Sequence, residues 1–274
     1  MHHCDSPVII EVCVDSVRSA LNAVRGGADR LEVCGNLGVG GGTTPSMGLL
    51  KTIQSAVDVP TMAMIRPRTG DFLYSKEEIE VMLEDIRIFK QQGIRGVVLG
   101  ALTANGRIDV AVTKRLVDEA LPLEVCFHRA FDMTRDPAEA LRDVMSIGGV
   151  SRILTSGHGQ TVLQSLDTLK QLCQTTRKLT EDLPWVLRIL PGSGINPETV
   201  GPVLDALLPF GLLEIHLSGG SWVESGMVHR QGGLGMGVGE NEWKVWETSE
   251  AKVREVRGLV SVVWAGYASS VDLV

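Results

Sequence analysis

VIIEVCVDSVRSALNAVRGGADRLEVCG, residues 8 to 35, reads as strand, helix and strand in turn. An apolar run rich in valine and isoleucine opens it, and helical periodicity follows from residue 17 to the Gly26-Gly27 pair, where left-handed residues end a helix. A second short apolar run, RLEVCG, begins at Arg30. Parallel strands need a crossover of this kind, so the stretch is a βαβ unit. The same rhythm continues down the chain, with further runs at residues 61 to 67, 96 to 102, 123 to 131, 152 to 157, 185 to 194 and 213 to 220. Helical segments separate most of them, among them residues 75 to 93, where Ser75 and Glu78 form a capping pattern, and 136 to 149.

Eight strands alternating with helices predict a (β/α)8 TIM barrel, because right-handed crossovers close such a sheet on itself. The competing open, doubly wound sheet announces itself by a glycine-rich phosphate turn after its first strand, and here that strand ends in Val14-Asp15-Ser16. The chain is therefore read as a single domain over 1–274, with a core from about 8 to 220. Residues 221–247, rich in glycine and tryptophan without clean periodicity, are expected to be a long irregular loop or lid, followed by a last helix at 249–263 that starts on Thr248 or Ser249.

With 33 acidic against 26 basic side chains and no dense cationic run, the chain lacks the charge pattern that binds nucleic acid or an anionic membrane. No eighteen-residue apolar run and no secretory leader pattern occur, and five thinly spread cysteines suit a reducing compartment, so a cytoplasmic location is expected.

The functional face of such a barrel is built from the C-terminal ends of its strands. Those ends are polar here. Glu11, Glu32, Glu124, Arg188 and Glu214 also fall within strand runs, where burial demands partners. The tripeptide Glu-Val-Cys recurs at 11–13, 32–34 and 124–126, a spacing that puts carboxylate and thiol on one face of a strand. Cys13 and Cys34, on neighbouring strands, are candidate ligands for a soft ion such as Cu(I) if the strand stagger brings them together; two buried thiols with no shared task are the alternative. Met1-His2-His3 offers a separate square-planar nitrogen set for Cu(II). A second reading is an enzyme acting on a small anionic metabolite. Arg66 and Arg68 would grip the anion, backbone N–H groups of Gly192, Ser193, Gly194, Ser218 and Gly219 would receive it, and Glu11, His128 or His216 would move protons. Each of these residues has a plain structural use as well, in tight turns, loop ties or hydrogen-bonded packing.

The runs EVCVDS (11–16), GGTTPSMG (41–48), MIRPRTGDFLYS (64–75), FHRAFDM (127–133), ILTSG (153–157) and PGSGI (191–195) resemble the CutC copper-homeostasis family over about residues 8 to 220. GMVHR (226–230) and LGMG (234–237) resemble its last block more weakly. The resemblance implies a TIM barrel, a cytoplasmic homo-oligomer, and Cu(I) bound through the thiols that fall at Cys13 and Cys34. The sequence departs from the family at Ser193, where glycine is usual, and in the tryptophan-rich stretch 222–246.

Overall fold

The computed structural model describes residues 6–181, 183, 185–237 and 239–271. The amino-terminal Met1-His2-His3 motif lies outside them. Eight parallel strands make the barrel: β1 (Ile9–Val14), β2 (Arg30–Val33), β3 (Thr61–Met64), β4 (Gly96–Leu99), β5 (Glu124–Phe127), β6 (Arg152–Thr155), β7 (Arg188–Pro191) and β8 (Glu214–Leu217). They pair in chain order from β1 to β7, β8 pairs with β1, and a parallel bridge between Gly192 and His216 draws β7 toward β8. The (β/α)8 barrel is thereby nearly closed.

The intervening helices are α1 (Val17–Arg25), the single turn α2 (Leu37–Gly40), α3 (Met47–Ala56), α4 (Lys76–Lys90), α5 (Val110–Ala120), α6 (Pro137–Ile147), α7 (Leu166–Thr180) and α8 (Val200–Leu207). Their starts follow local chemistry. Ser16, Ser46, Ser75, Asp109 and Asp136 each accept an otherwise orphaned backbone N–H at a helix start, and Ser75 with Glu78 closes the reciprocal capping box.

Period-two alternation sorts each strand into two faces. Ile10, Val12, Val14, Leu31, Val33, Val97, Val125 and Ile153 pack outward against the helices in the main core. The other face fills the barrel with Cys13, Cys34, Met62, Met64, Val98, Cys126, Leu154 and Leu190. All three Glu-Val-Cys tripeptides thus put their thiols on the inner face.

The ribbon after β8 departs from the expected irregular loop. β9 (Gly220–Glu224) pairs antiparallel with β10 (Lys244–Thr248), Trp222 opposite Trp246, and a short 3-10 turn at Gly239–Asn241 precedes β10. The ribbon is tied to α1: Asn22 donates to Glu247 and to the Thr248 carbonyl, and the Thr248 N–H donates to Ser19. Ser249 caps the final helix, α9, which runs over Glu250–Ser270 rather than stopping at 263. It continues because Trp264 and Tyr267, with ring centroids 5.8 Å apart, still find the core to pack on.

Candidate functional site

The lower interior of the barrel is an ion network. Arg30 donates to Glu11 and to Glu214, Arg152 donates to Glu214 at 2.8 Å and to Glu124, and Arg188 reaches Glu214 at 3.3 Å. Of the mid-strand charges singled out in the sequence, Glu11, Glu124, Arg188 and Glu214 are paired here, mostly through Arg30 and Arg152, and Glu124 and Glu214 are consumed in that task, whereas Glu32 stands outside the network.

Glu11 also faces upward. Its Oε1 takes the Nδ1 of His216 at 2.8 Å. Burial by itself would raise the Glu11 carboxyl, but Arg30 and His216 overcome it and hold the pKa at about 2. A carboxylate held in its charged form by these neighbours orients the imidazole. Burial likewise opposes a charged His216, yet Cys13, Glu32 and Glu11 around it raise its pKa well above the ordinary imidazole range.

Register sets what His216 meets on its other side. Cys13 pairs with Glu32 across β1 and β2, and Glu11 pairs with His216 across β1 and β8. One ligand atom each of Cys13, Glu32 and His216 lies within 4.8 Å of the others, all buried, the one such group among the described residues. Glu32 Oε1 is buried without a hydrogen-bond partner, although its carboxyl is raised by burial. Cys34 stands two residues beyond Glu32, roughly 6.6 Å further along the strand, and its thiol donates to Glu32 Oε2 at 3.3 Å. Glu32 is therefore the link between the two candidate thiols. Burial raises the pKa of Cys13, against the pull of His216, and raises that of Cys34 more strongly. Cys126 is on the inner face of β5, and Cys173 lies outside on α7.

A cavity of about 730 Å³ opens above this group at the C-terminal ends of the strands. Cys13, Glu32 and His216 line it together with Arg66, Phe72, His128, Ser193, Gly194, Ser218, Gly219 and Trp246. Arg66 is buried, and its guanidinium donates to the carbonyls of Gly40, Gly42 and Gly70. Arg68 belongs elsewhere: it points to the surface and ties its loop to Asp71 and Glu78, so its expected grip on an anion is replaced by a loop tie. Gly100 makes room for His128, since a Cβ there would stand 2.8 Å from the imidazole Nδ1.

The turn residues proposed as anion receivers have mixed roles. Gly192 is engaged in the bridge to His216. Ser193, in the left-handed region at φ 91°, donates its hydroxyl to the Gln160 carbonyl at 2.9 Å, and its own carbonyl accepts the Val162 N–H. Glycine adopts this conformation at least cost, in keeping with the departure noted at this position. Gly219 at φ 56° uses its carbonyl to receive Ser249, and Ser218 accepts the Gly220 N–H at 3.4 Å.

A sequence model of the CutC family matches residues 8–221. The chain belongs to the CutC family. Copper homeostasis protein cutC homologs from Mus musculus and Homo sapiens are each 42% identical to it, the first over 93% of this chain and 90% of its own length, the second over 92% and 88%. A CutC family protein from Chromobacterium violaceum is 41% identical over 91% of this chain and 96% of that one. The crystal structure of the CutC protein of Streptococcus agalactiae superposes with a TM-score of 0.68 at 26% identity, covering 77% of this chain and 98% of that one. A rubisco-like protein from Burkholderia fungorum, TM-score 0.52 at 16% identity, shares the fold alone. Membership of this family is consistent with a copper-related role. Among the described residues no helix is long and apolar enough to cross a membrane.

The sequence reading missed Glu32 as a prospective ligand and Met62 and Met64 as soft neighbours of the thiols. The alternation in RLEVC and TMAM carried that signal, because every second residue of an inward strand shares the barrel interior.

Proposed function

We propose that this chain binds copper in the cytoplasm at the floor of the barrel cavity, as part of copper homeostasis. Cys13 and His216 are the principal ligands, Glu32 stands beside them, and Cys34 is the second sulfur. The observation that carries the reading is the convergence of Cys13, Glu32 and His216 within 4.8 Å, with Glu32 Oε1 unpartnered. The donor set fits: thiolate and imidazole suit Cu(I), and the carboxylate of Glu11 on the far nitrogen of His216 is the partner that fixes a ligating imidazole in orientation. Met62 and Met64 surround the sulfurs with a soft, apolar wall.

Binding requires proton loss from the Cys13 thiol and from His216 Nε2, so affinity should climb with pH. The test is titration of Cu(I) against a competing chelator in wild type, Cys13→Ser, Cys34→Ser and Glu32→Gln, with folding monitored by circular dichroism. Loss of Cys13 should abolish high-affinity binding, and loss of Cys34 or Glu32 should weaken it. Equal affinity in wild type and the Cys13→Ser/Cys34→Ser pair would sink the proposal.

A further inference from the structure

Three features that line the same cavity have no part in the proposed metal site. Arg66 is 8% exposed and has no carboxylate within ion-pair distance among the described residues. Its five N–H groups make three bonds to carbonyls, and Nε is buried without a partner. His128 is 3% exposed, its Nδ1 accepts the Ala130 N–H at 3.3 Å, and its Nε2 is also buried without a partner. Because Nδ1 accepts, the proton of the neutral ring sits on Nε2, which is therefore a donor. Burial, reinforced by the Arg66 cation, keeps the ring neutral with a pKa of about 3. Phe72 lies against both groups, its ring 4.8 Å from the imidazole and 4.9 Å from the guanidinium carbon.

We propose that this part of the cavity binds the oxyanion head of a small organic acid, carboxylate or phosphate, on Arg66 Nε–H and His128 Nε2–H, with Phe72 covering the two donors until the ligand enters. A buried cation solvated only by backbone carbonyls keeps its full charge, and unpaired buried donors carry a desolvation cost that an acceptor removes. Two donors and no acceptor select an anion over a cation or an alcohol. The volume far exceeds a bare oxyanion and matches that of sites for whole metabolites. Apolar Leu154 and Ile195 together with Trp246 line the remainder and would receive the body of the ligand. The inference does not depend on copper binding, since Arg66 and His128 lie outside the Cys13–Glu32–His216 group.

The experiment uses the full chain in the presence of a copper chelator, with inorganic phosphate and acetate as probes and chloride at matched ionic strength as control. Thermal stability and the ¹⁵N and ¹H signals of the His128 ring are followed together. At least one probe should raise the melting temperature beyond chloride and move the His128 Nε2–H signal, and which probe does so distinguishes the two head groups. Arg66→Lys and His128→Phe, which preserve charge and ring volume respectively, should weaken binding about tenfold or more, the loss expected for a hydrogen bond to a charged partner. Phe72→Ala should bind more tightly than wild type. No shift beyond chloride, an unmoved His128 signal, or undiminished binding in both donor variants would overturn the proposal, and weaker binding by Phe72→Ala would overturn the covering role.

Discussion

Replacing Glu11 by glutamine keeps the shape of the side chain and removes its charge. The folded protein holds this carboxyl at about 2 against an ordinary value of 4.5, despite burial that pushes the other way, because Arg30 and His216 both favour the anion. A difference of roughly 2.5 pH units corresponds to about 3 kcal/mol at 1.36 kcal/mol per unit. A depressed folded-state pKa contributes stability that is fully present above the unfolded value and is lost as pH falls through the folded one. Glu11→Gln should therefore lower stability at neutral pH by about 3 kcal/mol, and the gap from wild type should narrow to about 2 kcal/mol near pH ~3.5. Urea denaturation from pH ~7 down to the acid limit of the wild type measures both quantities. The same variant should weaken copper about 10- to 100-fold by freeing the His216 ring. A stability loss that is small, or that stays constant as the pH falls, would refute the claim that the charge of Glu11, rather than its volume, holds this part of the barrel together.

Other outcomes follow from single contacts. Gly96→Ala places a Cβ 2.3 Å from the Glu124 carbonyl oxygen and 2.5 Å from Met62 Cε, so a backbone atom must yield; denaturation should show a loss of about 1–3 kcal/mol. Ser75→Ala removes one arm of the capping box on α4 and should cost about 1 kcal/mol in the same assay. In a histidine-selective NMR titration, His128 should stay neutral with its proton on Nε2 through the physiological range, whereas His216 should stay charged in the metal-free protein. A midpoint for either near the ordinary imidazole value would contradict the packing described around it.

The barrel was legible from residues 8 to 35 onward because a parallel strand buried on both faces and an amphipathic crossover leave different periodicities in the sequence. The loop tie that Arg68 makes instead of an anion grip joins partners three residues apart, a spacing within reach of sequence. What sequence could not fix was stagger. Whether Cys13 faces Cys34 or Glu32 depends on how far β2 slides past β1, a property of barrel closure that no local pattern encodes. The same slide decides that Glu11 serves His216 as well as Arg30. The β9–β10 ribbon was hidden for another reason. Its strands are five residues each and more than fifteen residues apart, and they hold together through Trp222 against Trp246 and through anchors on α1 rather than through a short turn.

The cavity divides by strand. Cys13, Glu32 and His216 come from β1, β2 and β8, three neighbours in the sheet, whereas Arg66 and His128 follow β3, beside β2, and β5. Each group has its own hydrogen-bond partners, the first in the ion network through Glu11 and Arg30, the second in the Gly40, Gly42 and Gly70 carbonyls and the Ala130 N–H. Among the described residues no hydrogen bond or ion pair joins Arg66 or His128 to Cys13, Glu32 or His216, so substitutions in the two groups should affect stability nearly additively. A ligand long enough to reach both groups would couple them. Its affinity would then depend on the metal and the metal's affinity on it by the same factor, a reciprocity that binding equilibria impose whatever the ligand turns out to be.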